Sequence, residues 1–339
     1  MILKRQKMNY IGSKHKLSSF IMKTVKDVCG NDLSDKIFCD LFAGTGVVGK
    51  TFKGKVKAVI ANDIEYYSYV LIRNYIGNSE KFSFEELISE LNDIPGTEGF
   101  IFENYAHQGK GERNYFTAEN GKKIDAIRLQ IESWRSTHAI SEDQYFFLLA
   151  SLLESADKVA NTASVYGAFL KHIKNSAVKP LFLEPAIFEE TPATHQVYQE
   201  DSNELIKKIS GDILYLDPPY NARQYGANYH LLNTIAKYDT FVPKGKTGLR
   251  SYFKSDWCRK GEVLNAFEEL IHNAQFSHIF LSYNNEGLME ENEVRKVMEK
   301  YGKYKLIKKK YQRFKADKTE NRNHRAAETF EYLHILEKR

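Results

Sequence analysis

The chain has 339 residues, 42% hydrophobic and 27% charged, the make-up of an ordinary globular protein with room for one large domain or two smaller ones. Its densest apolar patch, YFFLLASLL (residues 145–153), is half a membrane span, and the N-terminal stretch has no apolar run ahead of small residues. Neither a membrane protein nor a secretory signal is therefore expected, three widely spaced cysteines are expected to be reduced thiols of a cytoplasmic protein, and the net charge of +5 is modest.

In chain order, the first helix is expected over residues 14–28, with Leu17, Phe20, Ile21, Met22, Val25 and Val28 on one side and Gly30 as its stop. KIFCDLFA (36–43) reads as a buried strand running into the glycine loop GTGVVG, which opens a second helix. VKAVIAND (56–63) is a second strand ending on an acid, Asp63, followed by a helix with Tyr66, Tyr67, Val70 and Leu71. This β-loop-α-β unit is the context in which G-x-G-x-x-G holds a cofactor. Between residues 78 and 194 the alternation stops. Ile124, Ile127, Ile131 and Trp134 lie at helical spacing, and Ser141 with Gln144 forms a capping box opening a long helix. Strands return at HQVYQED (195–201), DILYLDPPY (212–220) and HIFLSYN (278–284), with Ser202 or Asn203 capping the helix after the first. KYKLIKKKYQRF (303–314) and FEYLHILE (330–337) read as a terminal antiparallel pair. The expected fold class is thus α/β, a seven-stranded, mostly parallel sheet with a largely helical insertion. The expected division is a catalytic domain of residues 1–77 and 195–339 and an insertion of residues 78–194.

Two motifs are set aside. VPKGKTG (242–248) contains Gly-Lys-Thr, but Thr240 stands where a phosphate loop needs glycine. Cys29, Cys39 and Cys258 are far apart and without paired histidines, so no metal site is expected. Charge is unevenly spread. Residues 1–26 carry seven Lys or Arg and no acid, and residues 303–325 carry ten against two acids, with Tyr304, Tyr311 and Phe314 interleaved. That fits a phosphate-contacting surface better than a solvated strand face.

The most informative stretch is LYLDPPYNARQY (214–225). Proline fixes its own backbone and forces the preceding residue to be extended, so Asp217, Pro218 and Pro219 stiffen the strand end. Neither proline has an N–H, so the run offers acceptors only, beside the flat ring of Tyr220. Such a cluster suits a planar base bearing an amino group. Hydrogen bonds from both amine N–H groups to Asp217 and the Pro218 carbonyl draw the nitrogen toward tetrahedral geometry and free its lone pair. It can then attack a methyl group held in line, as on the sulfonium of S-adenosylmethionine. A base must leave the duplex to reach such a site, at a few kcal/mol, and stacking on Tyr220 returns about 1–3 kcal/mol.

Together, YIGSK (10–14), FAGTG (42–46) and DPPY (217–220), in this order around an insertion, resemble the α-group of D12-class N6-adenine-specific DNA methyltransferases. The run DPPYNARQYGANYHLLN is most similar to type IIS modification enzymes of the FokI kind, which can carry two catalytic halves where this chain has one set of motifs. The resemblance implies a Rossmann-like class I methyltransferase fold, S-adenosylmethionine as cofactor and double-stranded DNA as substrate. It further implies a modification role with a cognate restriction endonuclease, and a second methyltransferase for the other strand. By the same resemblance Tyr10, Lys14, Asp40, Phe42, Gly44, Gly46, Asp63 (ribose) and Asp201 (adenine) bind the cofactor, and Asp217, Pro218, Pro219 and Tyr220 are catalytic. The insertion, Arg223, Gln224, Arg250, Lys254 and Arg313 are candidates for contacting DNA. For Arg223 and Gln224, bracing the loop is an equal alternative. Rival readings are an N4-cytosine or RNA amino-methyltransferase with the same pocket, and a catalytically silent DNA-binding relative. A nicotinamide enzyme leaves DPPY, YIGSK and the basic ends unexplained.

Overall fold

The computed structural model describes residues 14–311 and 329–339. Two units divide them. The first comprises residues 14–72, Thr191–Tyr225 and Phe253–Arg339 so far as these are described; the second comprises Arg73–Glu190 and Gly226–Tyr252.

The first unit is built on one seven-stranded sheet. Its strands are β1 (Ile37–Asp40), β2 (Ala58–Asn62), β3 (Gln196–Tyr198), β4 (Ser210–Leu216), β5 (Gln275–Asn284), β6 (Gly302–Tyr311) and β7 (Thr329–Lys338), in the order β3-β2-β1-β4-β5-β7-β6. The first five run parallel, and β7 is antiparallel to both β5 and β6. The expected strands are all present: β1, β2 and β3 are shorter than expected at both ends, β4 to β7 start one to three residues earlier, and residues 312–314 of the expected sixth strand lie outside the described residues. β4 stops at Leu216 because the Asp-Pro-Pro run that follows lacks the N–H groups a ladder requires. Phe38 stacks on Phe52 from the helix Val47–Phe52, with ring centroids 3.8 Å apart, covering one face. The other face is closed by the helices Val263–Asn273 and Glu291–Glu299, which bury Leu214, Leu216, Ile279 and Leu281 with Phe267, Leu270 and Val297.

The second unit is mainly helical up to Val159, through Glu85–Asp93, Phe100–Tyr105, Ala118–Ser136 and Glu142–Val159. Both halves of the Ser141–Gln144 capping box form. Beyond it, only four residues, Asn175–Val178, are helical before β3. Residues 226–252 join this unit, whereas the sequence had placed them with the sheet. The reason is hydrogen bonding across long sequence distances. The Arg128 guanidinium donates to the carbonyls of Ile235 and Ala236, Tyr105 donates to the Gly248 carbonyl, and Tyr238 donates to Asp125.

Candidate active site

The strand order reverses direction between β1 and β4. In an open parallel sheet, that switch point leaves a crevice beyond the carboxyl ends of the strands, where ligands bind. Asp40 is the last residue of β1 and lies opposite Tyr215 of β4, two residues ahead of Asp217. The glycine loop turns beneath them. Gly44 and Gly46 have φ of 54° and 75°, the left-handed region in which a side chain is strained. Asn62 at the end of β2, almost fully buried, ties three loops together: its amide donates to the carbonyls of Leu41 and Glu200 and accepts from the Glu200 N–H.

Acids gather along this edge. Asp63 accepts from the N–H groups of Gly44 (2.8 Å) and Glu65 (2.9 Å), so it fixes the glycine loop while keeping a second lone pair on each oxygen. Asp40 accepts from the Gly49 N–H through Oδ2, and its buried Oδ1 meets no donor among the described residues. Asp201 caps the short helix Ser202–Leu205 through Oδ1 alone; it, and not Ser202 or Asn203, is the N-cap. Burial lifts the carboxyls of Asp40 to about 7 and of Asp63 to about 6, and for Asp40 the neighbouring Asp217 and Asp63 add to the rise. An acceptor-rich, donor-poor edge of this kind selects for a cation that also carries N–H and O–H groups.

Asp217 is held from one side. Lys14 lies 2.9 Å from Oδ1 and the Tyr220 hydroxyl donates to the same oxygen at 2.8 Å, which leaves Oδ2 without a protein donor among the described residues. Burial raises the Asp217 carboxyl to about 6, with Lys14 pulling the other way. Burial disfavours the charged form of Lys14 too, but Asp217 and Glu331 outweigh it, and the ammonium stays protonated far above any working pH. Lys14 also contacts the Tyr220 hydroxyl and lies over its ring, 4.7 Å from the centroid. Tyr283 meets that ring edge-on at 5.7 Å and accepts from the Leu288 N–H. Gly287 permits this, since a Cβ there would stand 2.0 Å from the Tyr283 ring.

A family model described as D12 class N6 adenine-specific DNA methyltransferase matches residues 10–297. The chain is 65% identical to type II methyltransferase M.NlaIII of Neisseria lactamica, over 98% of this chain and 99% of that protein. The chain belongs to the D12 class of N6 adenine-specific DNA methyltransferases. It is also 40% identical to type II methyltransferase M.FokI of Planomicrobium okeanokoites, over 98% of this chain but only 53% of that protein. Type II methyltransferase M.CviAII of Paramecium bursaria Chlorella virus 1 is 38% identical, over 91% of this chain and 93% of that one.

Within this D12 methyltransferase, the structure brings Asp40, Gly44, Gly46, Asp63 and the Asp217–Tyr220 run to one sheet edge. Phe42 packs edge-on against Trp257 at 4.9 Å, and Trp257 is itself tied to Asn203 next to Asp201. Lys14, expected beside the cofactor, is paired with the Asp217 carboxylate. Gln224 is a brace: its amide donates to the Ser255 carbonyl and accepts from the Ser255 N–H, pinning the loop after DPPY. Arg250 drops out as a DNA contact, because its guanidinium is buried in a two-bond pair with Asp239 over the Phe241 ring. Arg223 and Lys254 are exposed. Tyr10 and Arg313 lie outside the described residues. Two residues escaped the sequence reading, Asn62 and Glu331. The only signal for Glu331 was an acid in phase with the core-facing Leu333 and Ile335 of β7. Among the described residues no helix is long and apolar enough to cross a membrane, and no group of acids, histidines or cysteines is placed to hold a metal ion.

Proposed function

We propose that this methyltransferase uses S-adenosylmethionine to methylate N6 of an adenine flipped out of double-stranded DNA, as the modification half of a cytoplasmic restriction-modification system. One observation carries the reading: Asp217 is bound by Lys14 and Tyr220 on Oδ1 alone, so Oδ2 remains an acceptor for an exocyclic amine. The cofactor, when bound, supplies a methyl group on a positively charged sulfur. The acid-lined edge fits it. Asp40, with a buried oxygen lacking a donor, suits the ammonium of the methionine moiety; Asp63 suits the ribose hydroxyls; and Oδ2 of Asp201 suits the adenine amine.

Asp217 and the Pro218 carbonyl accept the two amine protons of the target base and raise the nucleophilicity of its nitrogen. Tyr220 supplies the stacking plate once the base arrives. Positioning of this kind can provide roughly 7–11 kcal/mol. The insertion (78–194), together with residues 226–252, is the proposed target-recognition region, and Arg223 and Lys254 the proposed backbone contacts. With one set of motifs, the chain modifies one strand of an asymmetric site, and a second methyltransferase serves the other; a cognate endonuclease completes the system. The test is mass spectrometry of nucleosides from DNA treated with the protein and S-adenosylmethionine, with Asp217→Ala as control. N6-methyladenine made by the wild type alone supports the proposal. N4-methylcytosine, or binding without transfer, overturns it.

A further inference from the structure

Three strands place polar side chains on the same face beyond the carboxyl end of the sheet. Tyr215 of β4 pairs with Phe280 of β5, so Asp217 is in phase with Ser282; Ser282 pairs with Leu333 of β7 and Asn284 with Glu331. Glu331 is 6% exposed, and a carboxylate so deeply placed is costly without partners. Its partners are Ser282, which donates to Oε1 at 2.5 Å, and Lys14, 3.1 Å from the same oxygen. A single buried ammonium therefore bridges two carboxylates, Asp217 and Glu331. Paired with Asp217 alone, Lys14 would neutralise it and be free to swing onto both oxygens. Shared with Glu331, it is held at Oδ1.

We propose that Glu331, fixed by Ser282, is a positioning residue for methyl transfer, holding Lys14 on Oδ1 of Asp217 so that Oδ2 stays open to the target amine. The proposal rests on the methyl-transfer reading above, but residue 331 lies beyond the part of the chain matched by the family model. One lysine against two carboxylates leaves this cluster with net negative charge, which suits a reaction whose methyl donor arrives as a cation. Among the described residues, the other titratable groups facing Asp217 are Tyr215, Tyr220, Tyr225 and Asp40.

The test uses full-length Glu331→Gln and two readouts. The first is a ¹³C carboxyl titration of Asp217, assigned with Asp217→Asn. Loss of the neighbouring negative charge should lower its midpoint by roughly one pH unit. This readout needs neither DNA nor methyl donor, so it stands even if the protein proves not to methylate adenine. The second is the single-turnover methylation rate, expected to fall about 10²-fold while S-adenosylmethionine affinity changes far less. A rate within about twofold of wild type, or an unmoved midpoint, overturns the proposal. Should Glu331→Gln fail to fold, Ser282→Ala keeps both charges and removes only the bond that fixes Glu331. It should slow the single turnover about 3- to 10-fold without moving the Asp217 midpoint, and a wild-type rate there overturns the proposal equally.

Discussion

The sheet unit and the helical unit both bury charged and amide side chains, but they satisfy them differently. In the helical unit, Asp125 accepts from the N–H groups of Ile101 and Phe102 and from the Tyr238 hydroxyl. Arg128 donates to two carbonyls and to Glu132. Asn120 serves Ala177, Lys179 and Leu181 at once. These polar groups are spent on tying distant segments together. At the carboxyl edge of the sheet, by contrast, Asp40, Asp201 and Asp217 each engage protein donors through a single oxygen. The physical distinction is acceptor capacity left over after folding. A buried acid whose acceptor capacity is used up is architecture, and one with lone pairs to spare in a crevice is a binding group.

The strongest way to break this comparison is Asp217→Asn, which keeps the volume and removes the charge. Single-turnover methylation should drop by about 10³-fold or more, whereas calorimetry should show little loss of stability, because a costly buried charge has gone. An active variant would sever spare acceptor capacity from function. In the helical unit the opposite pattern is expected. Arg128→Met should cost about 3 kcal/mol of stability, read by denaturant unfolding, since the Ile235 and Ala236 carbonyls lose their donor. The rate per folded molecule should be unchanged.

A third comparison uses pH. The folded-state carboxyls of Asp40, Asp63 and Asp217 lie at about 7, 6 and 6, above the ordinary 3.8, so each binds its proton more tightly folded than unfolded. Their contribution to stability is greatest in acid and is lost as pH rises through that window. A cationic ligand reverses the effect. The melting-temperature rise given by S-adenosylmethionine should be larger at pH 8 than at pH 5.5, and Asp40→Asn should reduce the difference. Equal shifts at both pH values would remove the acids as the cation's partners. The smallest expected effect concerns DNA. Arg223→Ala should reduce the slope of log affinity against log salt by about one, as for a single phosphate contact. Arg250→Ala should leave the slope alone and lower stability, because its guanidinium serves Asp239.

Much of this is legible in the sequence. Apolar runs bounded by Gly44, by Asp63 and by the Asp-Pro-Pro brake located β1, β2 and β4, because local sterics end a strand wherever proline or a left-handed glycine must follow. The Ser141–Gln144 box is equally local. The basic C-terminal run was less transparent. As far as it is described it forms β6, the outermost strand beside β7, where Lys303 pairs with Glu337 and Lys308 with Glu291. Lysines along an exposed edge also guard against strand pairing with another chain, so the charge pattern alone could not separate that role from DNA contact.

The sequence by itself determined the α/β class, the order of the strands along the chain, the glycine turn and the chemistry of the Asp217–Tyr220 run, since each depends on a few neighbouring residues. Tertiary structure alone decided the rest. It attached residues 226–252 to the helical unit, spent Arg250 on Asp239, made Gln224 a brace and placed Lys14 between Asp217 and Glu331. Lys14 and Glu331 stand 317 positions apart in the chain. Only the register of β7 against β5 and the packing of the turn Lys14–Lys16 over that face bring them within hydrogen-bonding distance. Pairings of that kind depend on where whole strands dock, and no local pattern of residue types carries that information.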